Sequence, residues 1–585
     1  MSNSTGGQII AKMLKAEGVE KFFGIVDGTY LQLFAHCVEE GIQMITPRHE
    51  AVAAHMAGAY ARLTGKLGVC IASNGPGVAN MLAGVAVENV EGNRVLLITS
   101  SRRTGIAYPD RGGAYQCFDH VGVIKNMAKW SATCAHAERI PELFRKALRK
   151  CYQGRPGVVH LDVPENLING PCPAAPILIP ERYRRTLPIA PLAQQVEQAA
   201  ERLATARLPM IHAGSGVIHA GAFASLRRVA EQLHAPVTTS WAGRGVIDER
   251  HPLVWPMVYI DANNALRNAA DLCLCLGSDL GETDWWGKAP YWAKTADQQF
   301  IQVDIDEERL ARNRATDLAI VGDVGLFLDM LATALAQRES TMDLTSRKSR
   351  VAELALLKKE ERKTLDEMLA LPDEPMISCR VPTICREMFP DDAVVVFDGG
   401  NTAVWGNFYT ELRTPNSQLG THHMGHLGAG VGQALGAAVA RSDKPVYCLI
   451  GDGAMGFNMQ EVETAVRHGL KVIFLVLVDK AWGMVKINQM FALDPVKEMF
   501  ETALGPDKKG TINTDLGEIA WDELARAMGA FGARAASAEE LRGALEQARQ
   551  SGTCAVIHCL VNAEAHMMAP GLLHFKAMHQ EPAGE

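Results

Sequence analysis

The sequence predicts an α/β protein built from three consecutive parallel-sheet α/β domains. Three observations carry that expectation. Short, non-alternating apolar runs recur along the 585 residues, as strands buried on both faces require. Segments with helical spacing separate them, which calls for crossover connections and parallel sheets. Two stretches of different composition divide the chain into three such units, more than one hydrophobic core could serve.

The first unit, residues 1–170, opens with "GQIIAKMLKAEGV", apolar at helical spacing. "KFFGIV", "LGVCIAS" and "RVLLITSS" read as strands, and "GVVHLDVPENL" closes the unit. The Pro-rich "NGPCPAAPILIPERYRRTLPIAP" (169–191) reads as a linker crossing the surface. The second unit, 190–340, carries "LPMIHAGSGV", "APVTTSW", "ADLCLCLGSDL" and "QFIQVDID". A charged, helix-favouring stretch then leads to "PDEPM", the second linker. The third unit, 375–585, contains "AVVVFDGGN", "KPVYCLIGDG", "KVIFLVLVD" and "CAVIHCLV".

Composition narrows the function classes. With 48% apolar and 21% charged residues, the chain has the make-up of a soluble globular protein. A net charge of −8 offers no basic surface to nucleic acid. The thirteen cysteines form no CxxC pair, and Cys273 and Cys275 lie within an apolar run, so core thiols of a reduced, cytoplasmic protein are expected rather than a zinc site. The N-terminus lacks a secretory signal pattern. The longest apolar run, "VIFLVLV", has seven residues, far short of the roughly 20 of a membrane helix.

The chemistry concentrates at "GDGAMGFNMQEVETAVRHGLKVIFLVLVDKAWG" (451–483). "KPVYCLI" is a strand, "GDG" the turn after it, "NMQEVETAVRHGL" a helix with Met459, Val462, Ala465 and Val466 on one face, and "KVIFLVLV" the next strand. This βαβ unit places Asp452 and Asp479 at the carboxyl ends of two parallel strands, where open α/β sheets bind ligands. Two carboxylates and a backbone carbonyl suit a hard divalent cation. Taken alone, the same residues also fit a plain turn and a cap.

The whole pattern of strand, GDG, helix, strand, polar residue and "WGM" resembles the diphosphate motif of thiamin-diphosphate enzymes. "RHE" (48–50), "AYAR" (59–62) and "GPG" (75–77) resemble the pyrimidine-binding domain of acetolactate synthases, benzaldehyde lyases and 2-hydroxyacyl-CoA lyases. The resemblance spans essentially the whole chain in the family's domain order: pyrimidine-binding, central, diphosphate-binding.

It implies thiamin diphosphate and Mg²⁺ as cofactors, with Asp452, Asp479 and the carbonyl of Ala481 as metal ligands. Gly451, Gly453 and Ala454 belong to the same cofactor-binding turn. Asp479 departs from the family, which has Asn there; the added charge should repel diphosphate and attract the cation, with Lys480 next door partly offsetting it. Glu50 is implied as the acid beside the aminopyrimidine, a role served by apolar surroundings that raise its pKa. By itself, a Glu in a first helical turn also suits the helix dipole.

Leu427, in "HHMGHLGAGVGQALGAAVA" (422–440), matches the bulky residue that bends the cofactor, and plain core packing would also place a Leu there. Neighbouring His422 and His423, if on a strand, point oppositely and so share no metal. "DGGNTAVW" (398–405) would put Asn401 and Thr402 near the diphosphate, although a polar turn also accounts for them. Gln116 matches an active-site Gln. Trp482 matches a pocket-wall Trp of benzaldehyde lyase, and a buried aromatic accounts for it equally.

The implied substrates are small 2-oxoacids, aldehydes or acyloins, and the implied activity is decarboxylation, carboligation or lysis. Oxidation with flavin and a non-catalytic cofactor-binding role are the alternatives. The resemblance also implies active sites between subunits of a homodimer or homotetramer. FAD is possible but not favoured, because "HAGSGV" (212–217) has one G-x-G only and "SDLGETDWWGK" (278–288) replaces the flavin enzymes' segment. Trp285 and Trp286 there suggest a bulkier or more apolar partner. The tail "HMMAPGLLHFKAMHQ" (566–580) fits either a lid or a subunit contact.

Overall fold

The computed structural model describes residues 4–107, 111–493, 511–577 and 582. Three six-stranded parallel sheets follow one another along the chain. The first is ordered 43–45, 21–24, 68–72, 95–101, 158–164, 130–133, and the third 418–420, 394–398, 446–451, 472–478, 555–560, 531–535. Numbered along the chain, both read 2-1-3-4-6-5, so the outer domains share one topology. The central sheet runs 254–255, 237–239, 209–213, 272–276, 299–304, 318–321, the 3-2-1-4-5-6 order of dinucleotide-binding folds.

The strand expectations hold because burial, not alternation, sets these sequences. Every residue of 68–72, 95–101, 272–276 and 472–478 is buried. Cys273 and Cys275 are core thiols, and the thirteen cysteines form no disulfide. An antiparallel pair, Ser4–Thr5 with Pro171–Cys172, ties the start of the chain to the start of the Pro-rich linker. The charged segment before "PDEPM" is a 25-residue helix, Leu344–Met368. Among the described residues, no helix is long and apolar enough to cross a membrane.

The outer domains share one core. Helix Glu50–Thr64, built largely of small residues, packs along helix Ala429–Ala440. A methyl group on Gly432 would lie 2.7 Å from His55 Cβ, and one on Gly436 2.5 Å from the Met56 carbonyl. This close approach is what the small residues of "EAVAAHMAGAYAR" allow.

Candidate active site

Strand order 2-1-3 reverses direction between 394–398 and 446–451, and open α/β sheets bind ligands at such a point. The loops after these strands carry Asn401, Thr402, Gly451, Asp452, Gly453 and Ala454. The helix expected from Asn458 onward instead begins at Asp452 and breaks into Asp452–Asn458 and Glu461–Arg467. "GDG" is therefore a helix start rather than a free turn, and Asp452 stands in the first helical turn. Met459, Val462 and Ala465 face the core as expected.

Asp452, Asp479 and Asn401 converge. Asp452 Oδ1 accepts the Gly453 backbone N–H at 2.7 Å, and Oδ2 accepts that of Lys480 at 2.9 Å. Lys480 has φ +57°, a left-handed turn that reverses the chain just past Asp479. Ala481, buried beyond it, pairs antiparallel with Asp515. Burial raises the Asp452 pKa against these two N–H donors. Burial first, and the neighbouring Asp452 charge second, push Asp479 up to about 7.

Three polar atoms there lack partners although buried: Asp479 Oδ2 and both side-chain atoms of Asn401. Two of them, Asp479 Oδ2 and Asn401 Nδ2, face one space, since a methyl group on Gly483 would lie 2.7 Å from the first and 2.8 Å from the second. An orphaned carboxylate oxygen at an open cradle fits a hard cation, which takes oxygen ligands, and an orphaned amide N–H beside it fits an anion. Thr402 lies beside Gly451, whose added methyl would be 3.1 Å from Thr402 Oγ1. Trp482 covers the turn, its ring 2.7 Å from where a Gly453 methyl would be, with Phe457 at 6.3 Å edge-on.

The ammonium of Lys480 does not offset the Asp479 charge. It turns outward to Glu518 Oε2 at 2.7 Å.

Glu50 opens helix 50–64 behind the His49 cap. Its carboxylate accepts from Asn80 Nδ2 at 3.0 Å. Asn80, on helix Pro76–Val90 after "GPG", was not singled out from sequence; its position one turn into that helix was the available signal. Glu50 is only partly buried within one chain, so the apolar surroundings expected for it are not supplied by its own domain. None of its described contacts reaches Asp452, Asp479 or Asn401.

Gln116 is exposed and held at φ +54°. Its carbonyl accepts from Asn74 Nδ2 at 3.2 Å, and its Cα abuts Gly75. Behind it, the Gly75 N–H donates to His120 Nε2 at 3.2 Å, and His120 Nδ1 meets Asp162 Oδ1 at 3.1 Å. This buried bracket was not anticipated.

Leu427 is half-buried against the shared core. His422 and His423 lie in a turn, not on a strand. His423 Nδ1 meets Glu91 Oε2 at 3.0 Å, and His422 faces Gln418.

Trp285 does not open onto a pocket. It is 1% exposed, stacked on Tyr291 at 3.5 Å with His574 against its edge. The tail thus docks on the central domain through His574; residues 578–580 of the segment expected as a lid lie outside the described residues. His566 is fixed by Ser378 and Thr402.

A cavity of about 690 Å³ lies at the central sheet's own switch point, between Ser215–Gly216 and Gly277–Ser278. Asp304 and Arg155 also line it, and burial raises Asp304 to about 6.

The fold, the convergence of Asp452 and Asp479 at the switch point and the sequence comparisons agree on a class. Residues 4–123 match the N-terminal TPP-binding domain of thiamine pyrophosphate enzymes, 196–331 their central domain and 398–559 their C-terminal TPP-binding domain. The chain belongs to the thiamin-diphosphate-dependent enzymes. It is 30% identical over 495 residues to a probable acetolactate synthase large subunit of Methanocaldococcus jannaschii, covering 82% of this chain and 81% of that one. It is 29% identical over 557 residues to human 2-hydroxyacyl-CoA lyase 1, covering 93% and 92%. The acetolactate synthase isozyme 3 large subunit of Escherichia coli is 27% identical over 495 residues, covering 83% and 84%.

Proposed function

We propose that this enzyme makes or breaks a carbon–carbon bond next to a carbonyl, acting on 2-oxoacids or 2-hydroxyketones in the manner of an acetolactate-synthase-like decarboxylase and carboligase. The convergence of Asp452, Asp479 and Asn401, with buried oxygens left unpaired, supports this best. Cleavage of the benzaldehyde-lyase or 2-hydroxyacyl-CoA-lyase kind is the companion reading, in keeping with the length over which the human lyase aligns.

In this reading Asp452, Asp479 and the Ala481 carbonyl hold Mg²⁺, and Gly451, Gly453, Ala454, Asn401 and Thr402 hold the diphosphate. When bound, thiamin diphosphate supplies the carbon nucleophile and the electron sink. The chain positions it: the helix start at Asp452 presents backbone N–H groups to an anion, Trp482 walls the turn, and Leu427 props the space between the outer domains. Glu50 holds and passes a proton at the aminopyrimidine. Because its contacts stay within its own domain, Glu50 serves the clip of a second subunit, so the working form is a homodimer or homotetramer. Apposition of that subunit would also give Glu50 the drier surroundings its role needs. Gln116 faces the substrate.

We place the domains at 1–170, 190–340 and 375–585, in a cytoplasmic protein. The central cavity supports a nucleotide as a further ligand; flavin absorbance in the purified protein would identify FAD there.

The test is a panel of 2-oxoacids and acyloins, with thiamin diphosphate and Mg²⁺, followed by CO₂ and carbonyl products. Turnover on any member supports the proposal. Tight cofactor binding with no turnover throughout would make this a binding protein instead.

A further inference from the structure

His120 and Asp162 form a buried pair in the N-terminal domain, 1% and 0% exposed. Asp162 stands on strand 158–164, and Gly75 follows strand 68–72. Strand 95–101 lies between them, with Ala72, Thr99 and Asp162 in one row across the sheet. His120 opens helix His120–Ile124 and bridges that row. Its Nδ1 meets Asp162 Oδ1 at 3.1 Å, and its Nε2 accepts the Gly75 N–H at 3.2 Å. A donor at Gly75 requires an unprotonated Nε2, so Nδ1 carries the ring proton and donates to Asp162. Thr99 Oγ1 donates to the same carboxylate oxygen at 2.7 Å.

Gln116 rests on the corner so held. A methyl group on Gly75 would lie 2.8 Å from the Gln116 Cα, Cβ and carbonyl oxygen. Both residues have left-handed φ, +64° at Gly75 and +54° at Gln116. Gly adopts such a φ freely, whereas Gln persists there only where its surroundings hold it. Two bonds do so. Asn74 Nδ2 donates to the Gln116 carbonyl at 3.2 Å, and His120 fixes the Gly75 peptide against which Gln116 packs. Phe118, between Gln116 and His120 in sequence, meets the imidazole edge-on, with ring centroids 4.6 Å apart. Without His120 the Gly75 N–H is a buried donor with no partner, and the corner is free to turn.

We propose that His120, seated on Asp162, is a positioning residue for the reaction: it holds the Gly75 corner so that the exposed Gln116 side chain meets the substrate in one orientation. The inference rests on the reading of Gln116 above and adds what sets its geometry. His120 itself touches no substrate. It acts through one acceptor atom, Nε2, while Nδ1 anchors the ring.

The test uses the full chain with His120 substituted three ways. His120→Gln keeps an acceptor oxygen close to the place of Nε2, His120→Asn keeps only a donor close to that of Nδ1, and His120→Ala keeps neither. Hydrogen exchange read by mass spectrometry needs no substrate. Over residues 73–79 and 112–119 it should quicken about tenfold in His120→Ala and His120→Asn and stay native in His120→Gln. On the panel member that the native chain turns over, kcat/KM should fall about ten- to hundredfold in the first two and hold in the third. Thiamin diphosphate affinity should stay unchanged in all three, since the proposed diphosphate ligands lie in the C-terminal domain. Combining His120→Ala with Gln116→Ala should cost no more than Gln116→Ala alone, because the histidine acts through Gln116. Native exchange and turnover in His120→Ala, equal behaviour of His120→Asn and His120→Gln, or losses that multiply in the double variant would overturn the proposal. Native turnover in Gln116→Ala would instead overturn the reading of Gln116 as facing the substrate.

Discussion

Glu91 of the N-terminal domain grips His423 of the C-terminal domain. Its carboxylate accepts the backbone N–H groups of His423 at 2.8 Å and Met424 at 3.0 Å, besides meeting the His423 ring. The turn so held leads directly to Leu427. The inner domain contact thereby fixes the segment proposed to shape the bound cofactor.

Glu91→Ala should therefore loosen that turn. Glu91 is 6% exposed while His423 and Met424 lie nearer the surface, so water can replace part of what is lost. A stability loss of about 1 kcal/mol is expected, together with weaker thiamin diphosphate binding. Denaturant melts and a cofactor titration measure both; unchanged cofactor affinity would detach the turn from cofactor binding.

Gly58 and Glu88 form a second fitted pair. A methyl group on Gly58 would lie 1.7 Å from Glu88 Oε2, a carboxylate bound to His55 and Asn93 and wholly buried. Gly58→Ala should destabilise by roughly 1–3 kcal/mol through overpacking. Adding Glu88→Ala removes the atom that clashes, so the two changes should couple strongly in a double-mutant cycle. Simple additivity would show that the helices relax apart instead.

The sheets and the meeting of Asp452 and Asp479 were legible because each is written in contiguous residues: apolar runs for strands, GDG and Asp479 for strand ends. What was missed depends on contacts far apart in sequence. Nothing in "DKAWG" tells that Lys480 leaves Asp479 for Glu518, 38 residues on. Asn80 becomes a partner of Glu50 only through the packing of two helices. Trp285 and Trp286 suggested a bulkier partner by residue type, but φ is +55° at both and the Trp285 ring is buried in the core. Strand order was equally hidden, and with it the shared topology of the outer domains.

His160 sets a pH dependence. Thr99 Oγ1 donates to Asp162 Oδ1 at 2.7 Å, so it accepts from His160 Nε2; His160 Nδ1 then accepts from Ser131 Oγ at 2.7 Å. The ring is neutral and buried, and burial lowers its pKa to about 4 against the opposing charge of Asp162. Between about 6.5 and 4 the unfolded chain binds a proton that the folded chain refuses, so stability falls as pH drops through this window. His160→Asn removes that proton uptake. Its stability should fall less steeply than the native chain's from pH 7 to 5 in denaturant melts, and parallel profiles would contradict the assignment.

Gly483→Ala tests the cradle without touching a charge. Gly483 opens helix Gly483–Leu493, and its Cα faces Asp479 Oδ2 and Asn401 Nδ2. No left-handed φ is needed there, so Ala suits the helix backbone and favours it slightly. The added methyl would occupy the space proposed for the cation, at 2.7 and 2.8 Å from the two polar atoms. Either those side chains shift or the seat closes, and both outcomes disturb Asp479, the proposed cation ligand. The melting temperature of the ligand-free chain should change little, while Mn²⁺ binding weakens at least about tenfold, the effect of a lost ligand worth about 1.4 kcal/mol. An Ala variant that binds Mn²⁺ as tightly as the native chain would show that the ion sits elsewhere on the Asp452 turn, away from Gly483.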